Sequence, residues 1–284
     1  GIRTTAFFMG CPLSCLWCHN PECIPRAPQI AFYRDRCALC GACAEACAAG
    51  VHVFLNGAHT LERDRCARCG ACAQTCVYAA LEWIGQTYSP EQLAKRLLLD
   101  RACFESSGGG VTLSGGEPLL QAQFARETAA LLNAQGVRVA VDTCGDVPFS
   151  VFEDIAPFTD LFLYDLKACD GALHKRLTGR DNERIKENFL ALQKSGARLF
   201  VRVPLVAGLN DDWEEMKRLA AFLRDSGGVE RVELLAYHAL GEGKYVTLGR
   251  AYAGRDFKPP TQARMQALAD AFSDCAERVV IKTQ

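Results

Sequence analysis

Residues 4–20 read TTAFFMGCPLSCLWCHN, an apolar run that ends in three closely spaced cysteines. The apolar part, Thr4 to Met9, predicts a buried strand. The cysteines have the spacing C-x3-C-x2-C, and thiols this close in sequence converge on one metal ion or cluster, whereas most disulfides join distant segments. The stretch therefore predicts a strand with a metal centre at its carboxyl end, on Cys11, Cys15 and Cys18.

From residue 84 onward, strand-like and helix-like segments alternate, which predicts a βα repeat. Further strand-like runs end near Ser114, Thr143, Leu166, Pro204 and Ala236, and VVIK close to the end of the chain is also strand-like. Several of these runs are apolar almost throughout, as parallel strands buried on both faces are. Helical patterns lie between or after them, at residues 119–134, 149–157, 181–194, 211–224 and 261–276.

Two helix starts carry capping signals. Ser89 is followed by Pro90 and, three residues after the serine, by Gln92, and Asp211 is followed three residues later by Glu214. A short polar N-cap with Glu or Gln at the third helical position satisfies two free backbone N–H groups, and proline suits the first helical position. We therefore expect helices that begin directly after Ser89 and Asp211.

Residues 26–83 interrupt the βα repeat with an internal duplication. DRCALCGACAEAC begins at Asp35, and DRCARCGACAQTC begins 29 residues later at Asp64. Two C-x2-C-x2-C-x3-C motifs are the layout of a two-cluster ferredoxin, in which the fourth cysteine of each motif ligates the other cluster. The usual proline after the fourth cysteine is absent, and two zinc knuckles are the less favoured alternative. The predicted ligand sets are Cys37, Cys40, Cys43 with Cys76, and Cys66, Cys69, Cys72 with Cys47.

The predicted organisation is therefore a partial (β/α)6 barrel, residues 1–25 and 84–284, with a ferredoxin-like insert. Active sites of βα barrels lie at the carboxyl ends of the strands. Polar residues follow the predicted strands at these ends, so we expect them to face one mouth together with the cysteine triplet. They are Ser114, Gly115, Gly116, Glu117, Asp142, Thr143, Asp165, Lys167, Arg202 and His238.

Composition limits the function classes. The 284 residues are 49% hydrophobic and 23% charged with a formal net charge of −1, which gives no electrostatic case for a nucleic-acid or membrane-surface partner. No apolar run is long enough to span a bilayer, and no signal peptide is visible. The 16 cysteines, mostly in metal-binding spacings, predict a reducing, anoxic and cytoplasmic setting. We expect a monomer.

Three thiolates on a [4Fe–4S] cube leave one iron open, while a zinc site or a three-iron cluster is the alternative. C-x3-C-x2-C after a strand, followed by His19, resembles the radical S-adenosylmethionine (SAM) superfamily. The opening GIRTTAFFMGCPLSCLWCHNPE resembles the glycyl-radical-enzyme activating enzymes in particular. The likeness continues through SGGEP, VDTCG, LYDLK and LLAYHALGEGKY, and so covers nearly the whole chain.

This resemblance implies three [4Fe–4S] clusters, one of which binds SAM. In the family, one electron cleaves SAM to methionine and a 5′-deoxyadenosyl radical, which abstracts a hydrogen atom from a glycine of a partner glycyl radical enzyme. A low-potential donor such as flavodoxin or ferredoxin supplies the electron. The insert clusters would relay electrons, help to dock the donor, or be structural.

The resemblance also implies roles around SAM. The Gly115–Gly116–Glu117 loop would hold the methionine amino group, while Trp17 and His238 would border adenine or ribose, with His19 among the cofactor-binding residues. In the plainer interpretation, the glycines form an ordinary turn, Trp17 is core packing and His238 is structural.

Four charged residues would face the sulfonium cofactor. Asp165 and Lys167 alternate on a strand and would find their partners in zwitterionic SAM, the alternative being an internal ion pair. Arg202 would face SAM or the incoming glycine loop, or form a salt bridge within the barrel. In some relatives, positions matching Asp142, Thr143 and Asp165 hold a monovalent cation.

Two other functions stay open at this point. One is a radical SAM enzyme that modifies a small molecule or a peptide. The other is a ferredoxin-type electron carrier, which leaves the polar mouth unexplained. Five cysteines outside the motifs are expected to be small buried apolar residues: Cys23, Cys103, Cys144, Cys169 and Cys275.

Overall fold

The computed structural model describes residues 1–283, and its main element is a seven-stranded parallel sheet. The strand order is β1-β6-β7-β8-β9-β10-β11, so neighbours in the sheet follow one another in the chain except across the insert. The strands of this sheet are β1 (Arg3–Phe8), β6 (Gly110–Gly115), β7 (Arg138–Thr143), β8 (Leu161–Asp165), β9 (Leu199–Leu205), β10 (Val229–Ala236) and β11 (Ala276–Lys282).

Helices connect these strands, as the alternating pattern predicts. Within this sheet, β1 pairs in parallel with β6, and each strand from β6 to β10 pairs in parallel with the strand that follows it in the chain. This pairing confirms the βα repeat. The closing VVIK run is part of a seventh strand that extends the expected six. The connecting helices are α3 (Pro90–Leu97), α4 (Arg101–Ser107), α5 (Ala122–Ala134), α6 (Phe149–Ile155), α7 (Gly171–Thr178), α8 (Glu183–Lys194), α9 (Trp213–Asp225), α10 (Glu242–Thr247) and α11 (Gln262–Asp270).

The insert contains two antiparallel strand pairs, each made of very short strands. β2 (Gln29–Phe32) pairs with β5 (Leu81–Ile84), and β3 (His52–Leu55) pairs with β4 (Ala58–Leu61). Two single-turn helices, α1 (Ala42–Glu45) and α2 (Ala71–Thr75), carry the third cysteine of each motif. The outer pair, β2 and β5, brings the two ends of the insert together, and its boundaries at residues 26 and 83 stay a prediction.

The core lies between the sheet and the helices that pack on it. Apolar side chains from β6 to β10 are fully buried against α5, α8 and α9. At its centre, Tyr164 of β8 is 0% exposed, and its hydroxyl donates a 2.7 Å hydrogen bond to the Ile185 carbonyl. This packing aligns the carboxyl ends of the strands along one edge. In the part of the chain that the structure describes, no helix is long and apolar enough to cross a membrane.

Two expectations about helix ends were wrong. The N-cap of α9 is Asp212 rather than Asp211, and its side chain accepts a hydrogen bond from the Glu215 N–H. Asp211 does not cap the helix because its side chain accepts a 2.7 Å bond from the Gly208 N–H in the preceding turn. The last helix ends at Asp270 rather than near residue 276, because Ala276 pairs with Val229 in the sheet. A short helix in residues 171–178 was not expected.

The capping box at α3 is confirmed and gives a test of the helix start. The Ser89 hydroxyl accepts from the Gln92 N–H at 3.2 Å, and the Gln92 side chain accepts from the Ser89 N–H at 2.9 Å. We predict that Ser89→Ala weakens the first turn by about 1 kcal/mol. Hydrogen exchange at the Gln92 amide should then be faster by roughly fivefold. Ser106→Ala, in α4, is the control and should leave this amide unchanged.

Candidate active site

A cavity of about 680 Å³ opens at the carboxyl edge of the sheet, where the sequence predicts the mouth. It is bounded by the loop after β1 and by the ends of β6 to β11. Of the residues expected there, all but Glu117 line it. These residues are Cys11, Cys15, Trp17, Cys18, His19, Ser114, Gly115, Gly116, Asp142, Thr143, Asp165, Lys167, Arg202 and His238.

The three cysteines are held by a loop whose backbone is tied on both sides. The Cys11 N–H donates to the Ile24 carbonyl at 3.0 Å, and the Leu16 N–H donates to the Leu177 carbonyl at 3.0 Å. Burial raises the pKa of the Cys15 thiol to about 12. A thiolate at this place therefore needs a bound cation, and cluster iron bonded to all three sulfurs supplies one. The residues present fit an iron–sulfur cluster.

Two ion pairs form the charged wall of the cavity. Lys167 Nζ lies 2.6 Å from Asp165 Oδ2, and Arg202 Nη1 lies 2.7 Å from Asp142 Oδ1. Burial is the strongest influence on Lys167 and lowers its pKa, but Asp165 together with the sulfurs of Cys15 and Cys144 raises that pKa by more, so Lys167 stays cationic. These two pairs contribute two cations and two anions to the wall, and Lys282, whose amine lies 2.6 Å from Glu233 Oε2, also lines the cavity.

The structure contains the internal Asp165–Lys167 ion pair, which was the less favoured alternative in the sequence analysis. Lys167 follows β8 rather than belonging to it, which lets its amine turn back toward the carboxylate two residues earlier. Arg202 likewise forms the barrel salt bridge that the sequence left open. The three residues predicted to bind a monovalent cation have other partners in this structure. Asp142 and Asp165 each form an ion pair, and the Thr143 hydroxyl donates to Glu117. That cation site stays a prediction.

The glycine loop lines the cavity, but its glycines are required by packing against the loop after β1. Gly115 has φ +112°, and a Cβ there would overlap the backbone of Phe8. A Cβ on Gly116 would overlap the Gly10 carbonyl oxygen, while the Gly116 N–H donates to the Phe8 carbonyl at 2.8 Å. The turn that the sequence gave as the plainer interpretation therefore explains these two glycines.

Glu117 lies beneath the cavity rather than on its wall. It is 0% exposed, and its Oε2 accepts bonds from the Thr143 hydroxyl at 2.9 Å and the Cys144 N–H at 2.7 Å. Its Oε1 accepts from the Leu119 N–H at 3.1 Å. Burial raises the pKa of this carboxyl to about 7. Glu117 connects the loops after β6 and β7, and so positions the cavity wall instead of contacting a ligand.

Two histidines cover one side of the cavity. The rings of His19 and His238 stack with centroids 3.9 Å apart, and His19 Nε2 donates to the His238 carbonyl at 2.8 Å. Nδ1 of His238 is buried and has no hydrogen-bond partner in the described chain. Trp17 also lines the cavity, although it is largely buried among Leu177, Val206 and Tyr237.

The insert gathers its cysteines across the two motifs. Cys37, Cys40 and Cys43 line one small cavity together with Cys76, which is the ligand set that the ferredoxin layout predicts. Cys76 of the second motif is thus gathered with the cysteines of the first motif. The second ligand set, Cys66, Cys69 and Cys72 with Cys47, stays a prediction.

Comparison with known proteins places the chain. A profile described as the radical SAM superfamily matches residues 65–220. The trans-4-hydroxy-L-proline dehydratase activating enzyme of Clostridioides difficile is 41% identical over 278 residues, covering 96% of this chain and 91% of that protein. The choline trimethylamine-lyase activating enzyme of Oleidesulfovibrio alaskensis is 41% identical over 260 residues, covering 89% and 83%.

The chain belongs to the glycyl-radical-enzyme activating enzymes of the radical SAM superfamily.

A solved structure supports the fold assignment of this activating enzyme. A domain of the pyruvate-formate lyase-activating enzyme from Bacteroides vulgatus superimposes with a TM-score of 0.53 and 27% identity. It covers 62% of this chain and all of that domain. The seven-stranded parallel sheet is thus the partial barrel typical of the superfamily, and the sequence-based identification of the family is confirmed.

Two features of the activating enzyme were missed by the sequence analysis. Cys144 is buried beside the triplet, where its hydrogen bond lowers the pKa of Cys11. His52 and His59 of the insert hydrogen-bond each other at 2.9 Å, and His59 approaches a motif cysteine. The duplication could have indicated these histidines. The first copy has His52 at the position where the second copy has Leu81, and a polar residue at a position that is otherwise apolar suggests a specific role. Cys23 and Cys275 are buried as expected, but Cys103 is exposed.

Close packing of the glycine loop can be tested without substrate. We predict that Gly116→Ala destabilises the activating enzyme by roughly 3 kcal/mol, because backbone atoms of Gly10 and Cys23 cannot move away cheaply. Gly243→Ala is the matched control, since a Cβ there meets nothing within 4 Å. Thermal unfolding of the metal-free proteins should show a large loss for the first variant only; equal melting temperatures would contradict the packing argument.

Proposed function

We propose that this activating enzyme holds a [4Fe–4S] cluster with one open iron on Cys11, Cys15 and Cys18, and binds SAM in the cavity beside it. When bound, these groups supply one-electron cleavage of SAM to methionine and a 5′-deoxyadenosyl radical, which takes a hydrogen atom from the glycine of the partner enzyme. The observation that carries the proposal is a three-cysteine loop in one cavity with two cation–anion pairs.

The charges of the wall match those of SAM. The methionine part of SAM has a carboxylate, an ammonium and a sulfonium group, so it needs both signs of charge nearby. Lys167 and Arg202 supply cations for the carboxylate, and Asp142 and Asp165 supply anions for the positive groups. Because the four are already paired, the ligand exchanges partners with them and no buried charge is left alone in either state.

The histidine side of the cavity suits the nucleoside part of SAM. Nδ1 of His238 is the one polar atom in this group of rings that is buried without a partner in the described chain, so a ribose hydroxyl would satisfy it. The stacked His19 fixes the plane of the His238 ring. Trp17 adds an apolar surface at the base of the same wall.

For the insert, we propose two further [4Fe–4S] clusters on the crossed cysteine sets. They would pass electrons from a low-potential donor, such as flavodoxin or ferredoxin, toward the triplet. The insert is fixed to the barrel near the triplet, since Arg63 donates to the Thr247 carbonyl at 2.8 Å and Arg250 donates to Gln29 Oε1 at 2.6 Å. A reducing cytoplasm is the setting that these free thiols require.

The cluster assignment predicts a separable loss in Cys15→Ala. The wild-type protein, reconstituted without air, should hold roughly twelve irons and form 5′-deoxyadenosine from SAM with dithionite. Cys15→Ala should lose roughly four irons, because one cube loses a ligand, and all 5′-deoxyadenosine formation. Iron analysis and chromatography of the product measure both effects.

The control for this experiment is Cys103→Ala, which removes an exposed cysteine outside the motifs and should change neither result. Persistence of 5′-deoxyadenosine formation in Cys15→Ala would refute the catalytic role of the triplet. A glycyl-radical doublet in the EPR spectrum of a co-encoded partner, absent with Cys15→Ala, separates activation of a partner from modification of a small molecule or peptide.

The charged wall predicts a loss of SAM affinity in Lys167→Met. This change leaves Asp165 without its cation and removes one from the SAM carboxylate, so Kd for SAM should rise at least roughly tenfold, or about 1.4 kcal/mol. Calorimetry on the oxidised, cluster-loaded protein measures it. Lys217→Met removes an exposed pair with Glu214 and is the matched control. Unchanged affinity in Lys167→Met would contradict this role of the wall.

A further inference from the structure

The two halves of the insert are built alike but differ beside their cysteines. The 29-residue offset that relates the motifs also relates the flanking strands, and it places His59 in the position of Ile30. The pairing agrees with this relation: Ile30 lies opposite Trp83 in β2 and β5, and His59 lies opposite Phe54 in β4 and β3. The duplication therefore provides an internal comparison, in which one cysteine set has an imidazole where the other has an aliphatic side chain.

His59 reaches the sulfur atoms of the first cysteine set. Its Nδ1 lies 3.4 Å from Cys37 Sγ, and its Nε2 lies 3.9 Å from Cys43 Sγ. The ring is only 4% exposed and stacks on Phe54 with centroids 4.3 Å apart, so it is held in place. Among the described residues, His59 is the one side chain that hydrogen-bonds a cysteine of the two motifs. In the second set the corresponding contact comes from a backbone group, the Arg68 N–H, at 3.4 Å from Cys66 Sγ.

The second histidine determines which nitrogen of His59 carries its proton. His52 Nδ1 lies 2.9 Å from His59 Nε2, so one of the two must donate. In the opposite arrangement, His52 Nε2 would bury an N–H that has no acceptor in the described chain, and His59 Nδ1 would direct a lone pair at the Cys37 sulfur, so both contacts would be unfavourable. The proton of His52 therefore lies on Nδ1 and is donated to His59 Nε2. His59 then carries its own proton on Nδ1, directed at Cys37.

We propose that the His52–His59 pair is a redox-tuning element, which donates a hydrogen bond to the Cys37 thiolate and makes the cluster on Cys37, Cys40, Cys43 and Cys76 the more easily reduced of the two insert clusters. This inference rests on the two clusters of the proposed function. Reduction adds one electron, and no proton, to a cluster from a low-potential donor. The added negative charge is shared by the cysteine sulfurs, so an N–H donor stabilises the reduced form more than the oxidised form. The other cluster has Ile30 in this position, and its contact from the Arg68 N–H is a weaker donor than an imidazole N–H whose other ring nitrogen accepts from His52.

The consequence for the enzyme is an order between two otherwise similar clusters. Two identical clusters would share a single electron equally. With the histidine pair on one side only, the electron rests preferentially on the cluster beside His59, and this difference gives the relay a fixed sequence of potentials. The pair acts through the cysteine and touches no substrate, so these histidines are positioning residues.

The test is a redox titration, followed by EPR, of the full chain in which Cys11, Cys15 and Cys18 are all alanine, so that only the insert clusters contribute. The reference protein should hold roughly eight irons and show two separate one-electron waves. Adding His59→Ile gives both halves an isoleucine at this position. The higher wave should fall by about 59 mV, a tenfold change in the electron-transfer equilibrium, toward the lower one. Thr60→Val, on the exposed face of the same strand, is the control and should leave both waves in place.

His59→Asn guards against a failure of His59→Ile to load its cluster. The asparagine amide can donate at the position of Nδ1, so this variant should keep most of the raised potential if the hydrogen bond is the cause. The proposal is overturned if the reference shows one wave, if His59→Ile moves neither wave or both equally, or if His59→Asn loads and loses the raised potential. Absence of iron from the reference protein would instead refute the insert clusters of the proposed function, and this inference with them.

Discussion

The close approach of the Gly115–Gly116 backbone to the loop after β1 is the constraint on which the site depends. Without side chains at these positions, the Gly116 N–H reaches the Phe8 carbonyl and the Glu117 N–H reaches the Gly10 carbonyl at 2.6 Å. These bonds fix the residue directly before Cys11 relative to the end of β6. The Glu117 carboxylate then joins this loop to the loop after β7, because it accepts hydrogen bonds from Thr143 and Cys144. The cysteine loop and the charged wall are thereby parts of one rigid edge.

The charges of this edge balance within the protein itself. A cavity lined by unpaired Lys167, Arg202, Asp142 and Asp165 would be costly to keep in the absence of ligand. The two short ion pairs remove that cost, and their neutrality favours a zwitterionic ligand over a polyphosphate or a simple cation. The same arrangement explains why the sequence could not distinguish an internal pair from a ligand contact: both use the same residue types at the same strand ends.

Most of the fold was predictable because it depends on local patterns. Apolar runs predicted the strands, the Ser89 box predicted a helix start, and the ferredoxin layout predicted that Cys76 lies with the first motif. The failures have a common physical reason, which is competition between neighbours for one role. Asp211 and Asp212 are equally good caps in sequence, and only the Gly208 turn decides between them. Glu117 stands beside two cavity glycines, yet its carboxylate caps the turn that follows and accepts bonds from the loop after β7, and these contacts hold it in the core.

Placement of the insert between β1 and its partner strand has a consequence for how the chain is made. β1 pairs with β6, about 100 residues further along, and synthesis at about 5–20 residues per second separates them by roughly 5–20 s. During that interval the insert emerges complete, whereas β1 has no neighbour and the first cysteine loop has no wall. The order of synthesis therefore allows the insert to fold before the cavity at the carboxyl edge exists, so the two cysteine-rich regions of the chain form one after the other.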